Sequence, residues 1–143
     1  MNTRKHTFAK SAITTIIAVL AVVLVACGGS DADALRNTAW GLESLAGNAV
    51  LSGTTITIEF SDDQVSGSAG CNHYEGSYQA RENSLSVANV FSTEMGCLEP
   101  TGILEQETTY LTALRVATTY QITADRLEMF DEAGAQVLVF VAQ

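Results

Sequence analysis

Short stretches of alternating apolar and polar residues recur along this chain at near-regular intervals, and that pattern leaves few folds open. In residues 54–60, TTITIEF, Ile56, Ile58 and Phe60 share one face, while Thr55, Thr57 and Glu59 take the other. Period two with β-branched residues marks a half-buried strand. SDDQ at residues 61–64 reads as a turn, and the next segment places Val65, Gly67, Ala69 and Cys71 on one face. RENS at residues 81–84 is a second turn, followed by the strand LSVANVFS. TYQITA, RLEMF and AQVLVFVA come near the end, separated by short polar turns. Strands at this spacing predict an antiparallel sheet closed, or nearly closed, into a barrel. No internal repeat accompanies them.

One segment departs from the pattern. Residues 100–117 carry Ile103, Leu104, Tyr110, Leu111 and Leu114, spaced by three, four and seven as on one stripe of a helix. Pro100 suits a helix entrance, Glu105 and Glu107 lie toward the positive end of the dipole, and Arg115 lies in the last turn. The expected fold class is mainly β (α+β): a small antiparallel β-barrel or strongly curved sheet with one helix inserted late. Glu107 falls on the apolar stripe. A carboxylate there must find donors, because burying an unpaired charge costs several kcal/mol. It either bonds backbone amides or a strand side chain and so fixes how the helix docks, or it serves as a general base. No catalytic partner can be named with it.

The N-terminal residues specify a destination. Arg4, Lys5 and Lys10 precede an uncharged, mostly apolar stretch at residues 11–25, which ends in LVAC at Cys27. Charged start, apolar middle and small residue at the cut form a secretory leader. The stretch falls short of the roughly 20 apolar residues of a transmembrane helix. LVAC followed by Gly28 resembles the lipobox of bacterial lipoproteins, with an ordinary signal peptide or an uncleaved anchor as the alternatives. The resemblance implies cleavage after Ala26 and lipid on Cys27. Residues 1–26 are then a lipoprotein signal peptide, and residues 27–34 (CGGSDADA) a lipidated cysteine with a flexible tether. A domain follows at residues 35–143. Two or more acyl chains hold a protein stably on a membrane. Gly28 is not the aspartate that retains such proteins in the inner membrane, so the expected site is the outer membrane where the host has one.

Loss of the leader removes three cations and leaves four arginines against sixteen acidic side chains, a net charge of about −12 for the mature chain. That balance argues against nucleic acid, whose backbone needs neutralising cations, and against adhesion to anionic lipid. An acidic surface otherwise keeps an exported domain dispersed, and a monomer is expected.

Residues 67–78, GSAGCNHYEGSY, place Cys71, Asn72 and His73 side by side, the pattern most suggestive of chemistry. Export oxidises thiols. With Cys27 consumed by lipid, Cys71 and Cys97 form an even pair and are expected to join in a disulfide. In a reducing setting, or with the two cysteines too far apart, they would be buried free thiols. A Cys71–His73 nucleophile needs a thiolate and an orienting third residue; none is evident. Zinc could draw on Cys71, His73 and Cys97, without the usual ligand spacings. Asp62 and Asp63 fall short of a calcium loop, and no G-x-S-x-G elbow accompanies His73. Neither metal nor cofactor is expected. Asn72 reads as a turn residue, with Gly67 and Gly70 marking a bulge or close backbone approach. His73 reads as exposed.

The ordered set of TAWGLESL at residues 38–45, the block G-x-x-G-C-N-x-Y (Gly67, Gly70, Cys71, Asn72, Tyr74), the block S-T-x-M-x-C (Ser92, Thr93, Met95, Cys97) and Glu107-x-x-Tyr110-Leu111 resembles the META domain (HslJ-like) family. The resemblance covers about residues 35–143. It implies a compact, mostly antiparallel β-fold with a helix, in which Gly67, Gly70, Asn72, Tyr74, Thr93, Met95 and Glu107 are structural. Members are often envelope lipoproteins, some linked to heat or antibiotic stress, and the fold has been compared with secretion-pilot lipoproteins, which bind a protein partner. The family brings no catalytic set. The expected function is therefore a non-enzymatic envelope lipoprotein that binds a protein partner or an apolar ligand. An enzyme using Glu107 or His73, and a structural spacer, are the alternatives.

Overall fold

The computed structural model describes residues 34–143. The leader, Cys27 and the tether up to residue 33 lie outside them. Nine strands and one helix follow in order: β1 (Thr38–Leu45), β2 (Asn48–Ala49), β3 (Thr57–Ser61), β4 (Gln64–Ser68), β5 (His73–Arg81), β6 (Ser84–Ser92), α1 (Ile103–Val116), β7 (Ala117–Thr123), β8 (Arg126–Asp131) and β9 (Gln136–Ala142). Strands β1 and β3 to β9 pair antiparallel in sequence order, and β9 returns to β1, closing an eight-stranded barrel. The two-residue β2 is an annex on the end of β1.

The alternation read from the sequence becomes the barrel's inside and outside. Ile56, Ile58, Phe60, Val65, Ala69, Leu127, Met129, Leu138 and Phe140 are buried. At one end of the barrel lie the turns Asp62–Asp63, Glu82–Asn83 and Ala124–Asp125. Leu35 is fully buried at this end, its carbonyl accepting from Thr38 N–H while Asn37 N–H donates to Phe60 O. At the other end lie the β4–β5 turn, residues 93–102 and the helix.

The helix begins at Ile103, three residues later than the sequence pattern predicts. Gly102 adopts a left-handed φ of 90°, which ends any helical run from Pro100. Pro100 sits in the preceding loop, where its carbonyl accepts from Ile103 N–H. At the far end Arg115 reaches the carbonyls of Leu111 and Val90, as a cation near a helix C-terminus should. The seam between β6 and β7 is narrow, with one register pair, Ser84 with Thr119, and one adjoining bond from Tyr120 N–H to Asn83 O. The helix that connects these two strands packs against β6, β9 and β1.

Gly67 is where the barrel wall is tightest. A methyl group there would stand 2.1 Å from the Thr57 carbonyl oxygen, well inside contact distance. Gly67→Ala is expected to lower the unfolding free energy by about 2–3 kcal/mol, because backbone must move to make room. Chemical denaturation checks this, with Gly96→Ala, in open space and without a left-handed φ, as the comparison.

Candidate functional site

The family-motif residues converge at the helix-capped end. Strand β4 ends at Ser68, and residues 69–72 form a turn in which Gly70 takes a φ of 109°. Cys71 therefore does not continue the strand face of Val65, Gly67 and Ala69, contrary to the period-two reading. Cys71 belongs to the turn, and His73 is exposed at the start of β5. The structure joins Cys71 to Cys97, with the Cα atoms 5.9 Å apart. Cys97 lies on the loop after β6, the strand paired with β5, so the bridge ties that loop to the turn.

Asn72 is not a surface turn residue. It is 4% exposed, and its carboxamide is saturated. Oδ1 accepts from Met95 N–H at 2.7 Å and from the Thr93 hydroxyl at 2.8 Å. Nδ2 donates to Glu107 Oε1 at 2.8 Å and to Met95 O at 3.3 Å. Two donors and two acceptor sites are all that an asparagine side chain has. Its backbone N–H donates to Glu107 Oε2 at 2.7 Å, and its carbonyl accepts from Ala69 N–H. One residue thus links the turn, the loop after β6 and the helix.

Glu107, 8% exposed, supplies the other half. Its two oxygens receive the two N–H donors of Asn72, a charge-assisted pair, and the helix is docked by that clamp. The adjacent Gln106 acts alike on the opposite side, accepting from Leu51 N–H at 2.6 Å and donating to Thr54 Oγ1 at 3.0 Å. Gln106 escaped the sequence reading because a glutamine beside an apolar stripe looks solvent-facing. Its one clue was its place directly before Glu107.

Below the clamp Tyr74 and Tyr110 meet hydroxyl to hydroxyl at 2.6 Å, and both point at the Thr57 carbonyl, at 3.0 and 3.4 Å. Burial pushes both phenols above their usual range. The contribution of this pair to stability is thus complete below the unfolded tyrosine pKa of about 10 and is lost as pH rises beyond it. Tyr74 and Tyr110 are expected to ionise only as the barrel unfolds in alkali. Phenolate absorbance rising in step with loss of circular dichroism checks this.

No cluster of three or more metal-ligating side chains occurs among the described residues. The depressions found on the molecule are open to solvent, along strand edges and beside the loop after β6. Tyr110 and Leu114 of the helix are fully buried, with the Tyr110 ring edge-on against Tyr74 and Phe140 of the barrel, so the space between barrel and helix is filled. On the loop after β6 and the first turn of the helix, Leu98 at 87%, Met95 at 59% and Leu104 at 44% stay exposed, with Phe91 near the end of β6 and Val116 at the end of the helix exposed as well.

Comparison with solved structures returns the same architecture. A protein from Burkholderia xenovorans, solved by NMR, is 30% identical with a TM-score of 0.64, covering 79% of this chain and 86% of its own. A second NMR structure is 24% identical, with a TM-score of 0.61 over 76% of this chain and 92% of its own. A crystal structure of a DUF4847 family protein from Bacteroides vulgatus ATCC 8482 is 16% identical, with a TM-score of 0.57 over 76% and 94%, and shares the fold. No curated protein matches. Residues 33–143 match the META domain, and with the two motif blocks assembled around Asn72 and Glu107, the chain belongs to the META domain family.

Proposed function

We propose that this protein is a non-catalytic binding module, held at a cell-envelope membrane by lipid on Cys27, that engages a protein partner in envelope stress tolerance. The observation that carries the reading is the use made of the motif residues. Asn72, Thr93, Met95 and Glu107 spend their hydrogen bonds on one another, and Cys71 and Cys97 on a disulfide. What they build is a rigid loop whose large apolar side chains face water. A filled interior favours a protein partner over an apolar small molecule. Ala34 borders the Glu82–Asn83 turn, so the tether joins the barrel at the end away from that loop. Seven residues, 28–34, reach roughly 25 Å when extended, short enough to keep the domain near the bilayer.

The test is the full chain in its own envelope. Cys27→Ser should move the protein from the membrane fraction to the soluble fraction, and cross-linking of the lipidated chain should recover one stoichiometric partner. Membrane retention of Cys27→Ser would sink the anchor, and a blank in cross-linking would favour a spacer.

A further inference from the structure

Resting on that binding reading, we propose that the loop between β6 and α1 is the docking surface and that its partner presents a cationic amphipathic segment, apolar side chains flanked by Lys or Arg. Leu98 and Leu104 line one open depression with Pro100, Ile103 and Glu105. Exposed leucines grouped in this way mark an interaction site more than a core defect. The loop is held before any partner arrives, through the Cys71–Cys97 bridge and through both backbone groups of Met95 on Asn72. A surface already ordered loses little entropy on binding.

Charge selects the occupant. Glu94, Glu99 and Glu105 are exposed among these apolar residues, and residues 91–105 contain no Lys, Arg or His. An anionic lipid surface is repelled by that set. A second copy of the chain would bring the same glutamates face to face, which costs several kcal/mol. A cationic segment is attracted and steered, and its apolar side chains find Leu98 and Leu104. The tether enters at the opposite end of the barrel, so an anchored molecule holds this face away from the bilayer.

The probes are two designed helical peptides with one leucine face, flanked by Lys in one and by Glu in the other. They are titrated by fluorescence anisotropy against the full-length chain in zwitterionic micelles. The Lys peptide should bind and the Glu peptide should not, with affinity falling about tenfold as salt rises from low to several hundred millimolar. Leu98→Asp and Leu104→Asp should each weaken binding about tenfold, although each adds negative charge. Unspecific attraction to an acidic protein would strengthen instead, and that result overturns the proposal. So does equal binding of the two peptides, a dimer abolished by Leu98→Asp, or Leu98-dependent capture on anionic vesicles. A photo-cross-linker replacing Leu98, compared with one replacing Gln121 at the other end, separates this proposal from the broader one. A cationic segment trapped from position 98 supports both. A partner trapped only from position 121 overturns this face and keeps the binding module; a blank at both overturns both.

Discussion

Asn72→Ala is expected to lower the unfolding free energy by about 3–4 kcal/mol, a large share of the 5–15 kcal/mol that a domain possesses. The substitution removes little apolar area. It leaves Glu107 Oε1 without a donor, and Met95 N–H and the Thr93 hydroxyl without their acceptor. Glu107 is the buried and charged one of the three, and stranding it costs most; the groups of Thr93 and Met95 belong to exposed residues and add less. Asn72→Asp keeps the shape and is expected to be as damaging at neutral pH, since two carboxylates would then face each other. Its deficit should shrink on acidification, when one carboxyl is protonated and can donate. Glu107→Gln is not conservative either: the two donors of Asn72 meet one oxygen and one NH2, for about 1–3 kcal/mol. Urea denaturation of the three variants, with Asn72→Ala/Glu107→Ala as a double-mutant cycle, checks the order. A loss below 1 kcal/mol for Asn72→Ala would remove the clamp from the account.

The second large effect is expected from the disulfide. Cys71→Ser/Cys97→Ser, or reduction, opens a loop with a sequence separation of 26. In the chain-entropy treatment that is worth about 3–4 kcal/mol, or roughly 10–20 °C in Tm for a domain of this size. The bridge and Asn72 fasten the same loop to the same turn. Their losses should therefore not add: with the bridge gone, the further cost of Asn72→Ala should fall below its value in the oxidised protein. Strict additivity of the two in thermal melts would show that each holds a separate part of the barrel.

Most of the fold was legible because a strand with one wet face writes itself into sequence. TTITIEF, LSVANVFS and AQVLVFVA all became strands of the barrel wall, and Gly67 was readable as a close backbone approach. The helix was legible by period, while its first residue was not, because the left-handed turn at Gly102 depends on how the loop is held rather than on local pattern. Glu107 could be read as a docking carboxylate, since a charge on an apolar stripe must find donors. Its donor could not. Asn72 resembles any turn asparagine until β5, β6 and the helix are brought together, and its six hydrogen bonds reach four residues on three separate stretches of chain. Gln106 was illegible for the same reason, since its partners Leu51 and Thr54 lie far away in sequence. The annex strand β2 was illegible because two residues, Asn48–Ala49, are too few to show a period, although their partners Ser44 and Leu45 are close in sequence.

The pairing of β1 with β9 carries a consequence for how the molecule is made. Trp40 lies opposite Ala142, and Leu45 opposite Leu138, so the first strand of the barrel is completed only by the last. A chain emerging N-terminus first cannot finish its wall until the final residues have been delivered. A molecule without β9 would be an open sheet with two free edges, at β1 and at β8.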